Sequence, residues 1–273
     1  MNFEMSKTVR EKCPLIHNIT NYVTVNDCAN VLLALGASPI MADDKNEVCE
    51  ITSICGGLNI NIGTLNERTI ESMLIAGVRA NELNHPVVLD PVGAGASCLR
   101  TDTAFKLLNK IKFTVIRGNI SEIKALAGIS ANAQGVDANI SDKVSDENLD
   151  SAISFIKAFA KKTGAVVAVT GAIDIVSDCE KAYVIRNGHS MMSQVTGTGC
   201  MLSAITAAYV TANPESILEA TAVAVCTMGI AGEIAHKRLK DSDGNATYRN
   251  YIIDAIYNMT VNQIKEGAKY EVR

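Results

Sequence analysis

The sequence predicts an α/β fold in which a mostly parallel sheet lies between two layers of helices. Short apolar segments alternate with segments of helical pattern, which is typical of sheets built from strand–helix–strand units. The segments 86–89 and 165–169 are apolar nearly throughout, as expected for strands covered on both faces. After about residue 198 the pattern is helical, so the last third of the chain is predicted to supply helices.

Each predicted element follows from its own local pattern. The strands are predicted at 38–41, 58–62, 86–89, 113–116, 165–169 and 182–185. The helices are predicted at 26–33, 67–83, 103–110, 120–127, 150–162, 198–210, 214–239 and 248–265. Asn66 directly precedes the second helix and is expected to cap it, because its side chain can accept a bond from a free backbone N–H.

The composition excludes several classes of function. The chain has 273 residues, of which 48% are hydrophobic, and this fraction is ample for a large buried core. The formal net charge is -4 and no run of lysine or arginine exceeds a pair, so neither a nucleic-acid surface nor a polybasic membrane surface is expected. The most apolar long stretch, 220–232, is shorter than the ~20 residues of a membrane span and is expected to be a buried helix.

Cysteine usage and chain organisation predict one cytoplasmic domain. The eight cysteines form no Cys-x-x-Cys pair, which is typical of reduced thiols in a cytoplasmic protein. Residues 1–13 are charged and lack the apolar core of a secretory signal. Residues 132–148 are polar without clear periodicity, and we interpret them as a surface loop rather than a linker. We therefore expect a single domain over residues 1–273.

A glycine-rich turn opens the predicted helix at 198–210. Gly197 and Gly199 flank Thr198, and Cys200 follows, so several backbone N–H groups are expected to point toward one spot. The helix dipole adds about half a positive charge there, which suits a phosphate or a transferring phosphoryl group. An ordinary glycine turn with a threonine cap explains the same segment equally well, because short glycine motifs often occur by chance.

Two acidic residues are expected at the same edge of the sheet. Asp90 ends an apolar strand, and Glu122 lies in the first turn of the helix after the next strand. Because ligands of open α/β sheets bind outside the carboxyl ends of the strands, this pair is placed to hold Mg²⁺ beside a phosphate. Each also has a structural explanation, Asp90 as a turn residue and Glu122 as a charge that complements the helix dipole.

Further polar residues are predicted beside this pair. Arg117 ends a strand and is a candidate partner for phosphate oxygens, and Thr170 ends another, although a turn explains Thr170 equally well. Asn21 lies in a polar segment before the first predicted helix, where it is placed either to bind a small polar substrate or to cap the helix. We interpret His17 in that segment as a hydrogen-bonded structural histidine. Together these residues favour phosphoryl transfer.

Taken in order, these motifs resemble those of the hydroxyethylthiazole kinases, thiamine-salvage enzymes of the ribokinase-like superfamily. The resemblance covers essentially the whole chain, and its motifs are 14–21, 38–42, 61–65, 89–94, 116–119 with Glu122, 169–171, 197–200 and 229–233. It implies a ribokinase-like three-layer sandwich without a separate lid. It also implies phosphorylation of the primary hydroxyl of 4-methyl-5-(2-hydroxyethyl)thiazole with ATP and Mg²⁺, by a homotrimer with active sites between subunits.

The resemblance also implies a role for each candidate residue. The implied roles are thiazole binding by Asn21, Met41 and Gly197, ATP phosphate binding by Arg117 and Thr170, the magnesium region at Asp90 and Glu122, and an anion hole at Gly197, Thr198, Gly199 and Cys200. Cys200 stands where related ribokinase-like enzymes have an aspartate base, and the hydroxyethylthiazole kinases are similar to this chain in having cysteine. A nearby triphosphate opposes a thiolate, and a loose transition state needs little base, so we expect a weak or dispensable base.

One segment departs from the family's pattern. The usual Gly-x-Gly-Ser/Thr-Phe reads Gly244-Asn245-Ala246-Thr247-Tyr248 here, so the backbone of this loop is expected to differ while no expected catalytic position is lost.

Other functions fit part of the same pattern. One is a kinase of another small alcohol, such as hydroxymethylpyrimidine or pyridoxal. Another is a non-catalytic nucleotide-binding sensor, against which the intact Asp90, Arg117 and Glu122 argue. A third is an acyl transferase with Cys200 as nucleophile, for which the sequence places no histidine or aspartate partner.

Overall fold

The computed structural model describes residues 1–128 and 143–273 and confirms the predicted α/β class. The strands in these ranges are β1 (Leu15–Ile19), β2 (Ser38–Met41), β3 (Gly57–Asn61), β4 (Val87–Asp90), β5 (Val115–Gly118), β6 (Val166–Val169), β7 (Asp174–Ser177), β8 (Ala182–Ile185) and β9 (Tyr270–Val272). The helices there are α1 (Met5–Lys12), α2 (Val25–Leu35), α3 (Val48–Ile54), α4 (Glu67–Glu82), α5 (Cys98–Lys110), α6 (Ile120–Ala127), α7 (Leu149–Thr163), α8 (Thr198–Ala212), α9 (Ile217–Arg238), α10 (Asn245–Asn258) and α11 (Val261–Gly267).

The described strands form one sheet in the order β2-β1-β3-β4-β5-β6-β7-β8-β9. Neighbouring strands are parallel from β2 to β6, and the three pairs from β6 to β9 are antiparallel, which confirms a mostly parallel sheet. The strand order reverses at β1, so the chain winds first to one side and then to the other. A crevice therefore opens between the carboxyl ends of β1 and β3, where doubly wound sheets bind ligands.

Two hydrophobic cores, one on each face of the sheet, confirm the three-layer arrangement. The first core buries α1, α2 and α8 to α11 against the sheet, and the second buries α3 to α7 against the opposite face. The segment 214–238, which includes α9, is long and apolar enough to cross a membrane, but most of it is buried inside the fold. It is therefore the core helix that the sequence predicts.

Sequence patterns missed some elements for identifiable reasons. β1 was hidden by His17 and Asn18, because a polar pair interrupts the apolar pattern of a buried strand. His17 is satisfied inside the fold, with its ring nitrogens 2.9 Å from the Thr52 hydroxyl and 2.9 Å from the Ala42 carbonyl, which confirms its structural role. Burial lowers its pKa.

The helix predicted at 248–265 is wrong as one element. It divides into α10 and α11 because Thr260 starts a new helix with a capping box, in which its side chain accepts from the backbone of Gln263. The short α1, α3, β7 and β9 were also missed. Asn66 caps α4 as predicted. Of the predicted loop 132–148, residues 132–142 lie outside the described residues.

Candidate active site

The predicted site residues meet at the carboxyl edge of the parallel strands. Asn61 and Asp90 are the last residues of β3 and β4 and are paired in the strand register. Arg117 lies near the end of β5, and Thr170 directly follows β6. The N-terminus of α8 faces the same edge, because Ser203 and Cys200 of that helix contact side chains of β3 and β4.

Asp90 is the centre of this cluster and is fully buried. Its Oδ2 accepts bonds from Asn61 Nδ2 at 2.8 Å and Ser203 Oγ at 2.8 Å, and Arg117 Nη1 lies 3.4 Å away. Oδ1 has no hydrogen-bond partner among the described residues. Burial raises the pKa of Asp90, and the Arg117 charge and these bonds lower it. A buried carboxylate oxygen without a partner is costly, so a ligand or water that binds Oδ1 would stabilise the site.

Arg117 joins two strand ends. Its Nη2 donates to the Thr170 hydroxyl at 2.6 Å while Nη1 faces Asp90. The buried Nε has no acceptor within the described part of the chain. A guanidinium carries a fork of N–H donors that matches two phosphate oxygens, so Arg117 has the chemistry expected of a phosphate-binding residue.

The N-terminus of α8 fits closely against Arg117 and Thr24. Gly197 has φ +90°, and a Cβ there would lie 2.6 Å from Thr24 Cγ2. A Cβ at Gly199 would lie 2.6 Å from Arg117 Nη1, so glycine is needed for the guanidinium to approach the helix. The first intrahelical bond runs from Met201 N to Gly197 O, which leaves the N–H groups of 198–200 without an acceptor in the helix.

Cys200 lies between the two asparagines of the site. Its Sγ accepts from Asn21 Nδ2 at 3.2 Å and from Asn61 Nδ2 at 3.3 Å. Burial raises its pKa, and the nearby Asp90 raises it further. The thiol is therefore protonated near neutral pH although it stands at a helix N-terminus.

Both carboxylate oxygens of Glu122 accept hydrogen bonds from the backbone. Its Oε1 accepts from the Gly93 N–H at 2.9 Å, and its Oε2 accepts from the Asn119 N–H at 2.8 Å in a capping box. Burial raises its pKa. The carboxylate thus holds the turn after β4 against the start of α6. This geometry is compatible with a structural role for Glu122 at the start of α6 and also with a role beside Mg²⁺.

The two remaining candidates flank the crevice. Asn21 is buried, and its Oδ1 accepts from both the backbone and the hydroxyl of Thr24 at 3.1 Å. Met41 ends the edge strand β2, half-buried at the same end of the sheet, without a hydrogen bond to the cluster. Asn21 and Met41 thus lie at the β2 and β1 side of the sheet edge, and Arg117 and Thr170 lie at the β5 and β6 side.

Sequence reasoning missed further polar residues of the site. Asn61 and Ser203 bind Asp90 directly, and Thr24 orients Asn21. Asp174 begins β7 and accepts from the Gly171 N–H at 2.8 Å, and burial raises its pKa to about 7. Asn61 had a usable signal, because it ends an apolar strand as Asp90 does. Ser203 had none, since a serine inside an apolar helix is unremarkable.

Comparison with known proteins identifies the family. The model of the hydroxyethylthiazole kinase family matches residues 6–262. The chain belongs to the hydroxyethylthiazole kinase family. The hydroxyethylthiazole kinase of Clostridium acetobutylicum is 65% identical over 268 residues, which is 98% of each chain. The chain is therefore an enzyme of this kinase family.

Solved structures agree with this assignment. The hydroxyethylthiazole kinase of Pyrococcus horikoshii OT3 superimposes with a TM-score of 0.88 at 38% identity, over 99% of this chain and 98% of that one. A pyridoxal kinase from Staphylococcus aureus, solved with AMP-PCP and pyridoxal, matches with a TM-score of 0.60 at 16% identity, over 95% of this chain and 98% of that one. The second likeness shows the fold alone, which is ribokinase-like as expected.

Packing explains the motif 229–233 and the altered loop 244–248. In the motif 229–233, Gly229 allows close approach of Asn187, and Glu233 accepts from Asn187 Nδ2 at 3.1 Å and from Lys269 Nζ at 3.0 Å. At the altered loop, Tyr248 is fully buried and its hydroxyl donates to the Gly232 carbonyl at 3.0 Å. The extra oxygen of this tyrosine is thus satisfied.

Proposed function

We propose that this protein transfers the γ-phosphoryl group of ATP to the primary hydroxyl of 4-methyl-5-(2-hydroxyethyl)thiazole. The observation that supports this most strongly is the convergence of Asp90, Arg117 and the N-terminus of α8 at one crevice. A buried carboxylate oxygen with no partner among the described residues, a guanidinium, and N–H groups with no acceptor in their own helix suit a phosphoryl transfer, in which positioning and electrostatics dominate. We infer the identity of the substrate from the family to which the chain belongs.

The residues present fit a magnesium ion. No group of three or more His, Cys, Asp or Glu side chains converges within residues 1–128 and 143–273. Mg²⁺ in kinases is typically held by one or two carboxylates, and water and phosphate oxygens complete its shell. The free Oδ1 of Asp90 would hold the ion, and Glu122 would bind one of its waters. When bound, the ion would neutralise charge on the β- and γ-phosphates.

In this proposal each side chain has a defined task. Asn21, Met41 and Gly197 position the thiazole and its hydroxyl. Arg117 and Thr170 bind phosphate oxygens, which draws the guanidinium away from its 3.4 Å contact with Asp90. The N–H groups of 198–200 form the anion hole that stabilises the transferring group. Cys200 remains a neutral thiol, so the assistance it gives as a base is weak or dispensable.

We further propose that the enzyme works in the cytoplasm as a homotrimer, with residues 1–273 as one domain in each subunit. Tyr22 and Val23, directly after Asn21, are 76% and 58% exposed, and such apolar side chains beside a site suit cover by a neighbouring subunit. The eight cysteines are all unpaired, as in a reducing compartment. Light scattering on the purified protein gives the mass of the assembly, and a monomer would contradict the trimer.

The decisive experiment incubates the purified protein with ATP, Mg²⁺ and hydroxyethylthiazole and detects the phosphorylated alcohol by mass spectrometry. Parallel reactions contain hydroxymethylpyrimidine or pyridoxal, and others replace Mg²⁺ with EDTA. We expect phosphorylated thiazole only with Mg²⁺. Product from another alcohol instead would overturn the substrate, and ATP binding without any product would favour a nucleotide sensor.

Thiol alkylation tests the remaining alternative. Turnover that requires ATP and survives alkylation of Cys200 excludes a covalent acyl-transfer mechanism. Cys200→Ala in the same assay gives the matched genetic control, since alanine is smaller than the alkylated thiol and does not block the crevice.

A further inference from the structure

Asn61 joins the two sides of the site through a single side-chain amide. It is buried at the end of β3, between the Asn21 side of the crevice and the Asp90 side. Its Oδ1 accepts from Asn21 Nδ2 at 3.0 Å and from the Gly63 N–H at 2.9 Å. Its Nδ2 donates to Asp90 Oδ2 at 2.8 Å and to Cys200 Sγ at 3.3 Å. All donors and acceptors of the amide are therefore used.

The orientation of this amide follows from its neighbours. The backbone N–H of Gly63 can only donate, so the atom that faces it is the carbonyl oxygen. The NH₂ group then faces the Asp90 carboxylate and the Cys200 sulfur. The amide has one arrangement that satisfies all four partners, because a flip would place an oxygen against Asp90 and an NH₂ group against the Gly63 N–H.

Building on the proposed function, we propose that Asn61 is a positioning residue of the kinase reaction, which fixes Asn21, Cys200 and Asp90 relative to one another. It acts through these neighbours and does not itself touch the reacting atoms. One N–H holds Asp90 by Oδ2, which leaves Oδ1 directed at the ion site. The other N–H and the carbonyl hold Cys200 and Asn21 where the substrate hydroxyl arrives. The hydroxyl of the acceptor alcohol is thereby held in a fixed position relative to the residues that bind the phosphates.

Asn61→Asp isolates the donor side of the amide. The substitution keeps the size and the acceptor oxygen, so the bonds from Asn21 and Gly63 survive. It removes both N–H donors and places a second carboxylate oxygen against Asp90. We expect kcat to fall at least tenfold while KM for the thiazole changes less than about threefold, because contacts that position the reacting groups are lost while substrate contacts remain.

The matched control is Asn59→Asp, which makes the same change at a buried asparagine two positions earlier on β3. Asn59 Nδ2 donates to Asn18 Oδ1 at 3.1 Å, and no hydrogen bond joins Asn59 to Asp90 or Cys200. We expect this variant to lose stability while its kcat stays within about threefold of wild type. Circular dichroism establishes folding for each variant. If Asn61→Asp does not fold, the smaller and uncharged Asn61→Ser tests the same loss of kcat.

A second readout is independent of the kinase activity. The rate at which iodoacetamide labels Cys200, measured by peptide mass spectrometry at one pH, is expected to fall at least threefold in Asn61→Asp and to stay unchanged in Asn59→Asp. Absence of turnover in the wild-type protein would refute the proposed function, and this labelling would still test Asn61. If the Asn61 variants keep the kcat and the labelling rate of the wild type, the proposal is wrong. It is equally wrong if Asn59→Asp loses as much of both as Asn61→Asp does.

Discussion

The start of α8 offers the sharpest test of the site, through Gly197→Ala. The residue has φ +90°, where an L side chain is strained, and a Cβ there would lie 2.6 Å from Thr24 Cγ2. Thr24 in turn donates to Asn21 Oδ1 through both its backbone and its hydroxyl. The substitution therefore disturbs the first turn of α8 and the orientation of Asn21 together.

The expected loss of unfolding free energy has two contributions, one from the backbone conformation and one from the contact with Thr24. Left-handed backbone costs an alanine about 1–2 kcal/mol, and relief of the Thr24 clash costs about 1–3 kcal/mol more. For a chain of this size each kcal/mol lowers Tm by about 2–4 °C. Displacement of the N–H groups from the developing charge costs about 10²-fold in kcat/KM, on the scale of one lost anion-hole donor.

Gly164→Ala supplies the matched control. Gly164 ends α7 with φ +70°, and no atom lies within 4 Å of a Cβ there. Gly164→Ala therefore has the cost of a left-handed backbone but no steric contact, and the residue lies away from the site. Thermal unfolding and steady-state ADP release are measured for both proteins. If Gly197→Ala keeps kcat/KM within twofold of Gly164→Ala, the role given to the α8 N-terminus is wrong.

Three further predictions concern single side chains. Cys200→Ser keeps kcat within about tenfold of wild type in the ADP assay, because the thiol is not an ionised base; a loss beyond 10³-fold, as for a true general base, would contradict this. Asp174→Asn raises Tm at pH 8 but not at pH 4, because burial raises the pKa of Asp174 from 3.8 to about 7 and stability falls as the pH rises through that interval; an equal gain at both pH values would refute it. Arg117→Lys raises KM for ATP about tenfold, because an ammonium cannot reproduce the fork that now reaches Thr170; an unchanged KM would remove Arg117 from the phosphate site.

Elements and site residues could be predicted from the sequence where the place of a residue along its strand or helix determines its place in the fold. Asp90, Arg117 and Thr170 were predicted at one edge because each ends or follows a parallel strand, and such ends meet. The same logic failed at β1, where His17 and Asn18 are polar yet buried. Some of their partners, Thr52 for His17 and Asn59 for Asn18, come from other elements and cannot be read from a local pattern.

The hydrogen-bond network of the site was beyond sequence reasoning. The bond from Ser203 to Asp90 spans 113 positions, and no periodicity encodes it. The environment of Cys200 also could not be predicted, because burial and a helix N-terminus act on its pKa in opposite directions. In the packed structure burial has the largest effect on this pKa and raises it.

Asp90 Oδ1, which has no partner among the described residues, has a thermodynamic consequence for the whole protein. Burial of an unsatisfied acceptor costs stability, so a cation bound there would remove part of that cost only while the chain is folded. By linkage, occupancy at 100 times Kd would raise the unfolding free energy by about 2.7 kcal/mol. The melting temperature then reports how fully the ion site is occupied. Divalent ions can be ranked by the shift in melting temperature that each causes, without substrate or turnover.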